Sequence, residues 1–535
     1  MIKSVKRGYT LYYLKLASQA KQKQPQIPAR SKAVHIQRPY CLLQLPTYIG
    51  QATSNSIPES RSERAGKDNL IRKAMKSVGD PNEKIIRDLT VGSVPKTLLG
   101  FAMPLFLSGI LQLVYNLVDM VVVGRFVGTN GLSAVAIGGE VMMLITFVAM
   151  GFSNAGQVLL SRHIGEKRYD LVGKLVGTLL TFFLILAVCM TGILLPACHG
   201  ILRLLNTPQE IFSYTSDYSM VCIAGIIFIY GYNLSAAILR GLGDSKHPFM
   251  FIAIASIINI ILDLLFVGVI GLGPFGAALA TVIGQAVSFL FALRILYRDR
   301  TQICFDFHRS SFRLYKDTFG SLMRLGIPMA IQSAAIAFSM LFVNSYINVY
   351  GTIAVAVTGV ARKIENMIQV IAQAVSTAGA TMVSQALGAG KTKRVPKIVF
   401  SALGIVAVPA SVLALINWFR PEWLFRLFSS DTLVLQMAVR YVPVAMIQFL
   451  GCTLRPANFA LINGSGYARL SLIIAILDGV IARIGLALLL GIWLDGGIMG
   501  FWYGNALAGL MPFFVGGIYL LSGAWKKRAS VSQDL

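Results

Sequence analysis

The chain has 535 residues, of which 55% are apolar and only 13% charged, with a mean hydropathy of +0.67. A soluble domain typically carries about 25% charge, so an ordinary soluble protein is excluded, and the apolar mass suffices for about a dozen membrane helices. The net charge of +25 does not imply a nucleic-acid partner, because residues 1–96 alone hold 18 Lys/Arg against 6 Asp/Glu and most of the remainder falls in loops.

Six cysteines show no CxxC spacing, which indicates neither a disulfide framework nor a zinc site. Residues 1–58 contain nine basic residues and no acid. Their one short apolar stretch, Tyr9 to Leu16, is broken by Lys15 and cannot span a bilayer, and the core and cleavage site of a secretory signal are missing. A transit peptide, a lipid-binding arm, or sequence upstream of a start at Met75 are the open readings of this polar basic tail, taken as residues 1–84. The third is favoured because Met75 opens a short polar segment that leads directly to the first apolar span.

Apolar runs then recur at about 95–123, 131–160, 172–198, 214–238, 248–268 and 274–296, and again at about 325–347, 352–386, 396–418, 435–462, 470–493 and 498–524. The fold class expected is an all-α polytopic membrane protein with twelve transmembrane helices. An N-terminal six-helix lobe covers 85–296, a cytoplasmic linker 297–323, a C-terminal six-helix lobe 324–525 and a cytoplasmic tail 526–535. Alternate connections sharing a side with the N-terminus hold 21 Lys/Arg, whereas the opposite set holds only Arg125, Arg203, Arg420 and Arg426. That asymmetry puts both termini in the cytoplasm.

An internal repeat at an offset of 223 residues relates the two halves. Ser153, Ala155, Gly156, Ser161 and Gly165 reappear as Ser376, Ala378, Gly379, Ser384 and Gly388, and Gly241, Gly243 and Gly268 as Gly464, Gly466 and Gly491. Six spans per copy is an even number, so the repeat is parallel and substrate is expected between the two bundles. Most of these small residues read as helix-packing positions.

An Asp at mid-membrane costs roughly 2.5–3.5 kcal/mol on insertion scales, so Asp119 and Asp263 should face protein or water. Gln112, Tyr115, Asn116 and Asp119 fall at i, i+3, i+4 and i+7 on one helix face. Asn259 and Asp263 leave the same face one turn apart, and Thr281 and Gln285 repeat that spacing on the next helix. Two carboxylates, an amide and a hydroxyl oxygen suit a small cation such as sodium, or a proton shared between acids. Structural readings remain beside this one: Asp119 as an anchor at the outer end of its helix, Asn259 and Asp263 as an interhelical hydrogen-bond pair, and Thr281 as a packing residue. No other metal site is expected. Glu140, Arg362, Lys363 and Glu365 read as cleft-mouth residues or as ion pairs among themselves. Asp478 and Arg483 read as a structural pair or lobe anchor, and Arg455 has no evident partner.

The runs Tyr115-Asn116-Leu117-Val118-Asp119 and Val123-Gly124-Arg125, the Ser153 to Gly165 segment, Asn259-Ile260-Ile261-Leu262-Asp263 and Gly276-Ala277-Ala278-Leu279-Ala280-Thr281 together resemble the multidrug and toxic compound extrusion (MATE) transporters over residues 85–525. The polar set is similar to that of the DinF-like branch, which implies a cation site in the N-terminal lobe formed by Asp119, Asn259, Asp263 and Thr281. Acids expected in the seventh and tenth spans of the NorM-like branch are missing, since residues 325–347 and 441–462 contain no Asp or Glu. Gln112, Asn116, Tyr218 and Asn233 are the expected substrate-cavity residues, Gln112 and Tyr218 at positions resembling family substrate contacts, and Pro104 is the expected bend of the first helix.

The resemblance implies a secondary antiporter without a cofactor, which exchanges sodium or protons for small organic, often cationic or amphipathic, compounds by alternating access. It is expected to sit as a monomer among lipids, in a plasma membrane of bacterial inner-membrane type. A lipid-linked saccharide flippase of the same superfamily is the alternative, kept open by Arg362, Lys363, Arg455 and Arg483. An enzyme is disfavoured because the histidines lie in the tail or at span ends on both sides, and no Walker A pattern supports a nucleotide-driven pump.

Overall fold

The computed structural model describes residues 85–205 and 207–529, so the expected tail over 1–84 and Met75 lie outside the described residues. Among the described residues the chain is helical throughout, without a strand. The first lobe comprises α1 (Val94–Phe126), α2 (Thr129–Gly165), α3 (Tyr169–Leu204), α4 (Gln209–Ala224), α5 (Ile226–Gly241), α6 (Lys246–Asp263) and α7 (Gly273–Arg298). The second comprises α8 (Lys316–Asn348), α9 (Thr352–Gly388), α10 (Arg394–Phe419), the short α11 (Pro421–Arg426), α12 (Thr432–Gly464), α13 (Ala468–Ile476), α14 (Arg483–Leu488), α15 (Gly497–Ala508) and α16 (Met511–Ser522).

Among the described residues eleven spans are long and apolar enough to cross a membrane, and α4 with α5 makes a twelfth, bent by 52°. The apolar run at 214–238 gives no warning of that break. It falls at Gly225, where a Cβ would come within 2.5 Å of Val282 on α7, so the backbone approaches its neighbour there as a larger residue could not. Large apolar side chains such as Leu117 and Val121 point outward, as the lipid-facing surface of a span requires.

The repeat is visible in the geometry. Helices α2 and α9 are both 37 residues long and begin and end 223 residues apart. The turns before them use Gly128 and Gly351, at φ 85° and 92°, in the left-handed region where glycine carries no steric cost. Gly241 packs against Gln157 and Leu160, and Gly464 makes the same contact with Ala380 and Val383.

The lobes meet along α2 and α9 at the end that carries Gly165 and Gly388. A Cβ on Gly165 would lie 2.2 Å from the Gln385 carbonyl oxygen, and one on Gly388 would lie 2.3 Å from that of Arg162. Ser384 donates across the seam to the Val158 carbonyl at 2.7 Å, and Gln157 donates to Thr381 Oγ1 at 2.7 Å. Small residues permit this approach and hydrogen bonds lock it, so the two lobes are held together at this end. The inner ends of the first helix of each lobe cross to the other: Leu98 and Phe101 of α1 join the second lobe's core, and Leu322, Leu325 and Met329 of α8 join the first's.

Two connections are more ordered than an open linker. Helix α8 begins at Lys316, inside the expected 297–323 link, and residues 299–315 lie on α3, where Gly173 and Gly177 admit the Cys304 and Ser311 carbonyls. A strap before α1 also crosses the seam: Arg87 donates its backbone N–H to Leu242 O at 2.9 Å, Leu89 N–H reaches Gln385 Oε1 at 2.9 Å, and Lys391 Nζ reaches Thr90 Oγ1 at 2.7 Å.

Candidate functional site

Helices α1, α6 and α7 bring Asp119, Asn259, Asp263 and Thr281 together inside the first lobe. Asp119 is 8% exposed, Asn259 3% and Asp263 0%. Asn259 Nδ2 donates to Thr281 Oγ1 at 3.4 Å, and the Asp119 carboxyl interacts directly with those of Asp263 and with Thr281. No donor among the described residues reaches Asp119 Oδ1, either oxygen of Asp263, Asn259 Oδ1 or Gln285 Oε1. Buried acceptors in this number are costly unless a proton or cation joins them. Beside them Tyr115, Ser256, Gln285 and their neighbours enclose about 10 Å³, room for about one water-sized occupant.

A second space, a cavity of about 500 Å³, lies between the lobes. Gln112, Asn116 and Asn233 line it, with Asn154, Asn366, Gln369 and Gln373 adding further amides. Tyr232 and Ile252 line both this cavity and the small one, so they form the partition between them. Tyr218 is not on the cavity wall: it is buried against Gly138, which a Cβ would bring within 2.5 Å of its ring. Pro104 lies within the continuous helix α1.

Sequence reading missed Arg240 and Gln157. Arg240 counts as a loop charge in the sequence, yet it occupies the last turn of α5 on the cavity wall and donates from Nε to Gln157 Oε1 at 2.8 Å. The signal was its position one residue before Gly241, a packing glycine of the repeat, which keeps the helix running past it. Arg162, also counted in a loop, is buried, pairs with Glu166 at 3.4 Å and reaches the Ser465 carbonyl of the other lobe.

The second lobe holds a different cluster. Asp478 receives Arg455 at 2.7 Å and Arg483 at 2.9 Å, and Arg483 also donates to Asn505 at 2.6 Å. Arg455 therefore has the partner that the sequence did not reveal. The expected pairing among Glu140, Arg362, Lys363 and Glu365 does not form. Arg362, Lys363 and Glu140 are exposed, Lys363 sits over the Phe428 ring at 5.5 Å, and Glu365 accepts from Cys452 Sγ at 3.5 Å.

Two six-helix bundles around a central cavity, with a polar site buried in one, are the architecture of a helical membrane transporter. The MatE family model matches residues 104–265 and 328–510, one match in each lobe, and the chain belongs to that family. The probable multidrug resistance protein YpnP of Bacillus subtilis (strain 168) is 28% identical over 444 residues, 82% of this chain and 97% of YpnP. The FAD transporter of Shewanella oneidensis is 25% identical over 419 residues, 75% of this chain and 89% of that protein. The fold is that of a solved multidrug resistance MATE family transporter of the MOP superfamily in its outward-facing conformation, with a TM-score of 0.76 at 24% identity over 84% of this chain and 98% of the other.

Proposed function

We propose that this transporter is a secondary antiporter, in which a sodium ion or proton occupying the Asp119–Asp263 site is exchanged for an organic compound held in the central cavity. The observation that carries this reading is the pair of buried carboxylates in which Asp119 Oδ1 and both oxygens of Asp263 find no protein donor among the described residues. A proton or small cation satisfies both acids at once, drawing α1 towards α6 and α7. Because Gln112 and Asn116 lie on the same α1 face as Asp119, ion entry and release reshape the cavity wall, and the partition at Tyr232 and Ile252 is shared by both sites. Asn259 and Thr281 complete the oxygen set, and Gln112, Asn116 and Asn233 contact the organic substrate.

The relatives' names, multidrug resistance and FAD transport, support export of small organic molecules. Purified protein in liposomes should move such a compound when a sodium or proton gradient is imposed. Transport indifferent to both gradients sinks the antiport reading.

The positive-inside count supports cytoplasmic termini in a plasma membrane, and nothing in the assembly of the two lobes calls for a second copy. Single cysteines at Asp306, in the exposed link, and at Val349, in an exposed turn on the other side, test the orientation. In a cysteine-free background an impermeant thiol reagent should label Val349→Cys on intact cells and spare Asp306→Cys. The reverse pattern inverts the topology.

A further inference from the structure

We infer that the central cavity selects organic compounds carrying an anionic group, which Arg240 binds at the cavity's inner end. The inference rests on the transport reading above and names the substrate class of that same cavity.

The charge inventory is one-sided. Among the described residues lining the cavity Arg240 is the only charged side chain, and no Asp or Glu is among them. Among the described residues its guanidinium makes one hydrogen bond, from Nε to Gln157, and no ion pair, so its terminal nitrogens are left to the cavity. The carboxylates of the first lobe lie behind the Tyr232 and Ile252 partition, and Glu365 is engaged with Cys452. The carbonyl end of α5 offsets part of the positive charge, but only by a fraction of a unit. A guanidinium held in a low-dielectric cleft without a carboxylate is costly in the empty protein, and that cost is relieved when a bound molecule supplies the anion. The planar fork favours a carboxylate or phosphate taken by two parallel hydrogen bonds.

The rest of the wall fits the body of such a molecule. Tyr232 offers an aromatic face, Met150 and Val370 offer apolar contact, and the amides serve polar ring substituents without preferring either sign. An organic cation meets the opposite situation: nothing on this wall neutralises it, and Arg240 repels it.

The position also ties recognition to the seam. Gln157 accepts from Arg240 with its oxygen and donates with its nitrogen to Thr381 of the other lobe, so one amide connects the cavity end to the closed cytoplasmic contact.

A matched set of probes tests this on the purified full-length chain in detergent. Flavin mononucleotide and riboflavin share ring and ribityl chain and differ by one phosphate, and ethidium is a planar cation. Fluorescence titration should give flavin mononucleotide at least about tenfold tighter binding than riboflavin or ethidium, a difference of about 1.4 kcal/mol. Arg240→Gln, which keeps a hydrogen-bond donor, should abolish that preference while leaving riboflavin unchanged, and Arg240→Lys should restore part of it. Equal binding of the two flavins, tighter ethidium binding, no detectable flavin mononucleotide binding, or an equal loss for both flavins in Arg240→Gln overturns the inference. If gradient-driven transport fails for every probe while binding keeps its Arg240 dependence, the antiport reading falls and this one stands. Gradient-driven ethidium export that ignores flavin mononucleotide does the opposite.

Discussion

The two lobes descend from one repeated segment, and their packing and their chemistry have separated. At the offset of 223 residues, Asp119, Asn259, Asp263 and Thr281 correspond to Phe342, Ala482, Leu486 and Gly504. In the other direction Arg455, Asp478, Arg483 and Asn505 correspond to Tyr232, Ala255, Ile260 and Val282. The first lobe buries Asp119 and Asp263 with no base beside them, whereas the second buries Asp478 between two bases. An unneutralised pair of carboxylates suits a charge that comes and goes. A carboxylate already held by two guanidiniums is fixed structure. The glycines at the seam, by contrast, stay equivalent, because both lobes must approach the same interface at backbone distance.

The largest effects should separate the two clusters by phenotype. Asp119→Asn and Asp263→Asn remove charge and keep shape, so each should reach the membrane near normal levels while gradient-driven export falls at least about tenfold. Losing a buried carboxylate that lacks a donor does not weaken folding and relieves desolvation. Normal export by both variants would erase the functional side of the comparison.

Asp478→Asn should do the reverse. It strands Arg455 and Arg483, and breaking one partner of a buried ionic cluster costs about 3–5 kcal/mol. Thermal unfolding of the purified protein should show a clear drop in Tm, and the protein that remains folded should keep its ion coupling. Replacing the cluster as a whole, with Asp478→Leu, Arg455→Met and Arg483→Met together, should recover most of the loss. An unchanged Tm in Asp478→Asn would show that the guanidiniums are solvated.

The seam offers a sharper test of the part that stayed symmetric. Gly165→Val and Gly388→Val each push a side chain into backbone 2.2 and 2.3 Å away. Overpacking of this kind costs about 1–3 kcal/mol. Both variants should open the cytoplasmic side, read as faster labelling of a cysteine placed at Ser153 from the cytoplasmic face, and to a similar degree. A large effect from one and none from the other would mean that the pseudo-symmetry does not extend to the closed contact.

Span number, the repeat and the first-lobe acids were legible in the sequence because each is written in spacing or in the rarity of charge within apolar runs. Asp119 with Gln112 and Asn116 shows a helical stripe, and Asn259 with Asp263 a single turn. The misplaced residues share another cause. Arg240 and Arg162 look like loop charges when hydropathy alone marks span ends, yet α5 and α2 run on past those ends and carry them into protein. Tyr218 takes a position that resembles a family substrate contact, but which face it takes depends on the bend at Gly225. Arg455 meets Asp478 across two helices 23 residues apart in the chain, a contact that no periodicity announces.

The smallest expected effect lies at the rim where α2 and α9 end, and there the lobes again differ. Glu166 follows α2, and the corresponding residue after α9 is the uncharged Ala389. Burial would raise the Glu166 carboxyl, but the hydrogen bond with His163 and the charges of His163 and Arg162 outweigh it and hold the group below its ordinary value of 4.5. A carboxyl depressed in the folded state adds stability that is fully present above its unfolded value and is lost as pH falls through the lower folded one. Through Arg162, whose guanidinium reaches the Ser465 carbonyl, that contribution also steadies the seam. Glu166→Gln should therefore lower Tm near neutral pH by the equivalent of about 1 kcal/mol. The gap from the parent protein should close as pH falls below 4.5, where the native glutamate is itself neutralised. A gap of the same size on both sides of that pH would mean that Glu166 acts by packing alone, and the charge difference between the two rims would carry no weight in holding the lobes together.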